Sequence, residues 1–418
     1  MKLAAAALAF LALTTPAAAK PGDLDRTFGY GGRIAFAGGE GYSDATGIAL
    51  DTSGRPLVTG GTFGRRIAGR WVIGPTLARL TRSGRVDFRT PLPDPRNDGT
   101  LTESKVVALP GGGALVGATL EHPPGLARIG VWRVRPDGAL DTAFGMGGAI
   151  ELALRDTHLS LAGIGVDGSG RIAIAAMWGP ADHPRSMLLR LRAHGELDAS
   201  VALAGGMIPD ALLLERSGRA FVAGHVPGGH GRRARAVVYA AGPRGSVRRL
   251  ALFSLRSTRA AVADVAAIAR GPNGSLLLAG NDGRRRQAPL PDRPWVARLR
   301  RGGHVTRTFP AVGGRQIELM TMARDHHGRI VLAGAESTSD DRAVVMRLRA
   351  SGRRDPRFPL VLLQALGARP GTELCCSQAR AVAIDARNRI LVAGVSFDAA
   401  PPREDLGRSY FAVARLKG

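Results

Sequence analysis

Two cysteines in 418 residues, Cys375 and Cys376, stand side by side, so no disulfide within this chain can staple distant elements together. They can form a vicinal bridge, pair with another chain or stay reduced. No C-x-x-C spacing marks a redox motif, and the expected role of the pair is structural or incidental. Aromatic residues make up only 5% of the chain. The four tryptophans, Trp71, Trp132, Trp178 and Trp295, fall at unmatched offsets, which argues against a quinone cofactor docked on one tryptophan per repeat. Lysine occurs only at positions 2, 20, 105 and 417. Beyond the N-terminus no stretch of about 18 apolar residues runs without a charge or a break, so no membrane-spanning helix is expected. There is no H-E-x-x-H, no G-x-S-x-G on a strand-to-helix turn, and no glycine loop closed by Lys-Ser or Lys-Thr.

The N-terminus carries one lysine, an apolar run from Leu3 to Leu13, and Ala17 and Ala19 in A-x-A spacing. That is the pattern of a secretory signal peptide over residues 1–19, cleaved after Ala19. No cysteine follows the run, which argues against a lipid anchor. The expected location is periplasmic or extracellular.

The net charge is +24 and is carried by arginine. A field of this size attracts anions such as acidic glycans, lipopolysaccharide phosphates or nucleic acid. The arginines are spread through the whole chain rather than gathered in one tract, and export argues against nucleic acid. An envelope protein or an anionic glycan is the expected partner, and the chain is expected to be a monomer.

Glycine is abundant, 57 residues, and it punctuates short apolar runs. This is the texture of many turns between short strands. The runs repeat. TGIALDTSGRPLVTGG turns at Gly54, KVVALPGGGALVGA at Gly112 and AGIGVDGSGRIAIAA at Gly170. Further copies turn at Gly218, Gly274, Gly328 and Asn388. The anchors are 58, 58, 48, 56, 54 and 60 residues apart, a period of about 56. Gly and Asn are the residues that best tolerate a left-handed turn, so each copy opens with a β-hairpin.

A second phrase falls between the first ones, as in VWRVRPDGALDTAF and WVARLRRGGHVTRTF. Its glycines are 84, 138, 195, 245, 303 and 352. Five residues earlier stands Arg79, Arg133, Arg190, Arg298 or Arg347; three residues later stands Asp87, Asp141, Asp198 or Asp355. Arg248 and Thr306 break the Asp pattern. A role filled once per repeat is structural: the Asp is expected to accept turn N–H groups, and the Arg to pair with it in an outer-surface network.

Two hairpins per unit, repeated seven times, predict an all-β, seven-bladed propeller over residues 20–418. A β-helix would need shorter rungs and caps, and a single barrel would not hold the period. The last unit stops at ARLKG, before its turn and outer strand. PGDLDRTFGYGG at residues 21–32 begins where that unit breaks off, with Gly22 matching Gly138 and Asp25 matching Asp141. The closing blade is therefore expected to be completed by the N-terminal strand.

LDRTFGYGG, LDTAFGMGG and hairpins ending FVAG, LLLAG and IVLAG resemble the delta-60 repeat, a family of bacterial secreted or surface proteins. The resemblance covers nearly the whole chain after residue 19 and weakens at VYAAGPRGSVRRL. It implies export and a propeller. It transfers no catalytic residue.

No catalytic, cofactor-binding or metal-ligating residue, and no cofactor, is nominated. Of the nine histidines, His225 and His230 are the pair with the most potential for a metal or anion site; His326 and His327 read as turn residues. DGSG at 167–170 lacks the further acidic ligands of a calcium loop. The expected function is a noncatalytic binding or scaffold propeller of the cell envelope. The alternatives are a glycan- or lactone-acting enzyme with a composite axial site, and a purely structural envelope module. Four or more neighbouring, non-repeated ionisable residues in the axial funnel would overturn the noncatalytic reading.

Overall fold

The computed structural model describes residues 19–37, 41–67, 70–94, 99–122, 126–154, 158–179, 184–203, 206–228, 233–254, 262–283, 293–308, 310, 312–336, 341–399 and 408–418. The apolar N-terminal run, His183 and His230 lie outside the described residues. Seven antiparallel sheets follow one another, at 43–91, 100–152, 159–202, 208–254, 262–308, 317–363 and 374–416, here blades one to seven. Within blades one to six the strands pair in chain order. The first strands contact each other in sequence, and that of blade seven contacts that of blade one, so the ring is closed. In blade five the first strand is split into Val262–Ala263 and Ala267–Arg270.

The turns form as the sequence dictates. Gly218 has φ +81° and Asn388 φ +59°, the left-handed conformation that a two-stranded turn requires here. The second and third strands of each blade lie between neighbouring sheets and are buried on both faces. Ile330–Glu336 and Ser409–Leu416 are buried at every residue, so they read as continuous apolar runs rather than alternating ones. Outer strands such as Leu197–Ala202 alternate between exposed and half-buried. The core is divided accordingly: one apolar cluster fills each seam between adjacent blades.

Blade seven consists of Leu374–Ile384, Ile390–Asp398, Ser409–Leu416 and, as its outer strand, Arg33–Phe36 from the other end of the chain. The turn leading into that strand is rebuilt from both termini. Asp25 N–H donates to Arg415 O at 2.7 Å, as Asp141 N–H donates to Arg133 O at 2.8 Å within one continuous hairpin.

Candidate functional site

One end of the ring carries the hairpin turns, and its carboxylates are occupied. Asp51, Asp167, Asp325 and Asp385 each sit four residues before an arginine. In each, one oxygen accepts backbone N–H groups of its turn and the other pairs with the arginine Nε, at 2.7, 2.9, 2.5 and 2.6 Å respectively. Asp167, the acid of DGSG, is used up in this way. His326 and His327 lie in such a turn: His326 N–H donates to Asn388 Oδ1 of the next blade, and His327 N–H to Asp325 Oδ1.

The second-turn Asp behaves as expected: Asp25, Asp141 and Asp355 each accept the N–H two residues on. Arg79, Arg133 and Arg347 pair with Asp87, Asp141 and Asp355 of their own blade. These pairs are not an outer-surface network throughout. The Arg347 and Asp355 side chains are 1% and 7% exposed. The arginine is long enough to reach the adjacent sheet, so it also clamps blade to blade: Arg79, Arg133, Arg190 and Arg298 donate to the carbonyls of Pro136, Ala193, Gly242 and Ala350 in the following blade.

At the opposite end, where the first strands begin, neighbouring blades are latched by polar side chains. Thr119 Oγ1 accepts Leu161 N–H at 2.8 Å. Asn281 bonds both N–H and C=O of Leu319, at 2.7 and 2.8 Å. Ser409 Oγ accepts Ser43 N–H at 3.0 Å. The latch between blades four and five is different in kind. Asp210, the bulged residue of the strand Ile208–Leu214, accepts Val265 N–H at 3.1 Å and His225 Nδ1–H at 2.8 Å on the same oxygen. Next to Val265 stands Asp264, whose Oδ1 accepts Asn281 N–H at 2.6 Å. An ionisable cluster thus replaces a neutral latch.

Burial and mutual charge shift all three groups. Burial raises the Asp210 carboxyl, and the charge of Glu103 on the first strand of blade two adds to that, against the His225 bond. Burial disfavours the His225 imidazolium, but the bond and charge of Asp210 outweigh it and raise His225 overall. Burial pushes Asp264 up to about 6, with Asp210 adding to the rise against the Asn281 bonds. The His225 and Asp210 side chains remain 12% and 17% exposed. Raised carboxyl groups beside an imidazole, in a pair partly open to solvent, are what general acid–base chemistry requires. Asp210, His225 and Asp264 are thus three ionisable residues gathered at one blade seam, and Glu103 stands near enough for its charge to raise Asp210.

A second cluster lies between blades seven and one. Arg380 Nη1 stands 2.5 Å from Asp44 Oδ2, and Tyr42 Oη donates to the same carboxylate at 3.0 Å. Burial, with the Asp44 charge, pushes Tyr42 up to about 12, so the phenol stays a proton donor. Cys375 and Cys376 are unbridged at the start of the blade-seven strand, with Cys376 at φ +49°. Among the described residues no three His, Cys, Asp or Glu converge as metal ligands, and no helix is long and apolar enough to cross a membrane.

No family model matches the chain, and no curated protein sequence matches it. Solved structures do. An ulvan lyase, described as a new family of polysaccharide lyase, aligns with TM-score 0.54 and 11% identity over 96% of this chain and 94% of its own. The same kind of enzyme bound to -[GlcA(1-4)Rha3S]- aligns with TM-score 0.53 and 11% identity over 96% and 94%. A protein of unknown function from Dyadobacter fermentans aligns with TM-score 0.49 and 14% identity over 92% and 97%. At these identities the likeness establishes the fold: the chain is a seven-bladed β-propeller, closed by its N-terminal strand.

Proposed function

We propose that this protein is a propeller enzyme that cleaves an anionic polysaccharide by general acid–base chemistry, with Asp210, His225 and Asp264 as the proton-handling groups. The observation that carries the reading is the replacement of a neutral blade latch by a carboxylate–imidazole–carboxylate cluster, partly open to solvent, with both carboxyls raised above their usual values. The net charge of +24 favours a polyanionic substrate. The ulvan lyases show that this fold can carry glycan cleavage. The repeat phrases support membership of the delta-60 repeat family, and residues 1–19 support export to the periplasm or beyond.

The test is incubation with a panel of uronate polymers. New reducing ends report cleavage, and ultraviolet absorbance of an unsaturated product separates elimination from hydrolysis. Asp210→Asn and His225→Ala are expected to lower the rate about 100-fold or more. A binding or scaffold role has one observation in its favour, the Asp210 bond to Val265 N–H, which a purely structural Asp would also make. Polymer binding without any product would replace the catalytic reading with that one.

A further inference from the structure

The seam between blades four and five also differs from the others at its far end, among the hairpin turns. The seam between blades seven and one shows the ordinary arrangement. There Asp25 gathers three cations: Arg415 Nε at 2.8 Å, Arg389 Nη1 at 3.1 Å and Lys417 Nζ at 3.2 Å. Asp385 holds Arg389 from the other side at 2.6 Å. Every cation has a carboxylate.

By repeat position, the four–five seam keeps the cation and loses the anion. Arg219 stands where Arg389 stands. Arg248 takes the place of Asp25, and Ala240 that of the clamp Arg415. Gly271 replaces the turn acid Asp51, and Arg270 replaces Leu50. Five arginines, Arg219, Arg248, Arg270, Arg300 and Arg301, consequently line one groove of about 430 Å³. Glu215 pairs with Arg270. Among the described residues, no carboxylate pairs with the other four.

The groove also has a floor. Phe221 carries the guanidinium groups of Arg219 and Arg270, each 4.9 Å from the ring centroid. This holds two of the forks in place, as a preformed site requires. Gly274 leaves room for Arg301, whose Nε would stand 2.9 Å from a Cβ there. Burial and the charge of Arg301 both lower the Arg270 pKa, a mark of like charges crowded together.

We propose that this groove binds a compact anion bearing two or more phosphate or sulfate groups, held by the guanidinium forks of Arg219, Arg248 and Arg301. Planar guanidinium groups match tetrahedral oxyanions with paired N–H donors, and several at once favour more than one such group. The groove lies at the opposite end of the blade-four strands from Asp210, so the proposal stands independently of the acid–base site.

Calorimetric titration with inorganic tripolyphosphate, and separately with a trisulfated heparin disaccharide, tests it and separates the two sources of the oxyanion. Tight one-to-one binding of either probe is expected. Arg248→Asp, which restores the residue type usual at this repeat position, is expected to weaken binding by about tenfold or more. Arg353→Asp makes the same charge change at an exposed turn of blade six and is expected to leave binding intact. Failure of both probes to bind, or equal weakening by Arg353→Asp, overturns the proposal, since the latter means a general field and no site. If Arg248→Asp does not fold, Arg301→Gln serves in its place with the same expectation. Tripolyphosphate and heparin disaccharide titrations leave the polysaccharide cleavage assay untouched, so the two readings fail separately.

Discussion

Asp25 and Arg415 come from opposite ends of the chain and form a buried ion pair, Oδ2 to Nε 2.8 Å, with side chains 1% and 4% exposed. Arg415 also donates to Arg82 O of blade one at 2.5 Å and to Thr27 Oγ1 at 2.8 Å, and its guanidinium lies 4.7 Å from the Phe28 ring centroid. One arginine therefore joins the C-terminal strand, the N-terminal turn and the neighbouring blade. The pair does at the closure what Arg347 and Asp355 do within a continuous blade.

Asp25→Asn should therefore damage folding of the ring. It leaves Arg415 buried without its counter-charge, a loss of about 3–5 kcal/mol. Urea unfolding should show the unfolding free energy reduced by that amount. Deleting residues 20–32 should be more severe, because it also removes Phe28 from the seam cluster. A deletion variant with unchanged unfolding would refute the closing role.

Acid should open the same junction. Burial raises the Asp25 pKa, but hydrogen bonds from Thr27 and Lys417 and the charge of Arg415 outweigh it and hold the carboxyl well below its usual value. An acid with a depressed folded pKa stabilises the fold above its unfolded value, about 3.9, and loses that contribution as pH falls towards the folded value. Stability should thus decline below about pH 4, and Asp25→Asn should show a weaker decline. Parallel pH profiles for the two proteins would exclude Asp25 as a source of the acid sensitivity.

The ring and its closure were legible in the sequence because they rest on repetition: Gly or Asn at each turn, Arg and Asp around the second glycine, and the unfinished ARLKG. The acid–base cluster was not: Asp210 and His225 are departures from the repeat, and Asp264 does not stand out because Asp44 and Glu318 hold the same repeat position in other blades. Eight residues before each anchor stand Thr46, Ser104, Ala162, Asp210, Ala266, Met320 and Arg380. Only Asp210 and Arg380 are ionisable, and both belong to the clusters described above. His225 stands where Thr119 and Asn281 stand in other blades. Comparing repeats for what differs, position by position, would have singled these residues out. Their proximity would still have been hidden, because Asp210 meets Val265 only through the radial stacking of two sheets.

The arginines paired with the second-turn aspartates should differ in worth according to burial. Arg347→Ala removes a side chain 1% exposed and leaves Asp355 at 7% exposure without its partner, so about 3–5 kcal/mol of stability should be lost. Arg133→Ala acts on a pair exposed by 38% and 24%, where solvent screens the charges, and should cost under about 1 kcal/mol. Equal losses in denaturant unfolding would mean that burial of the ion pair does not set the energy.

Asp264→Asn separates proton chemistry from structural support. The folded carboxyl titrates at about 6, against about 3.9 when unfolded, so the fold favours its neutral form. The resulting stabilisation is present below about pH 4 and is lost as pH rises through about 6. At pH 8 the wild-type protein holds a buried, charged Asp264, whereas the amide has no charge to bury. The variant should therefore be more stable than wild type at pH 8, by about 1–3 kcal/mol, and little different at pH 4. Cleavage should move the other way, falling about 100-fold at pH 5, where the wild-type carboxyl can supply a proton. A gain in stability with a loss of rate is the signature of a group held in place for chemistry at the expense of the fold. If the variant instead loses stability equally at both pH values, Asp264 serves only as the acceptor for Asn281 and the proton-donor role falls.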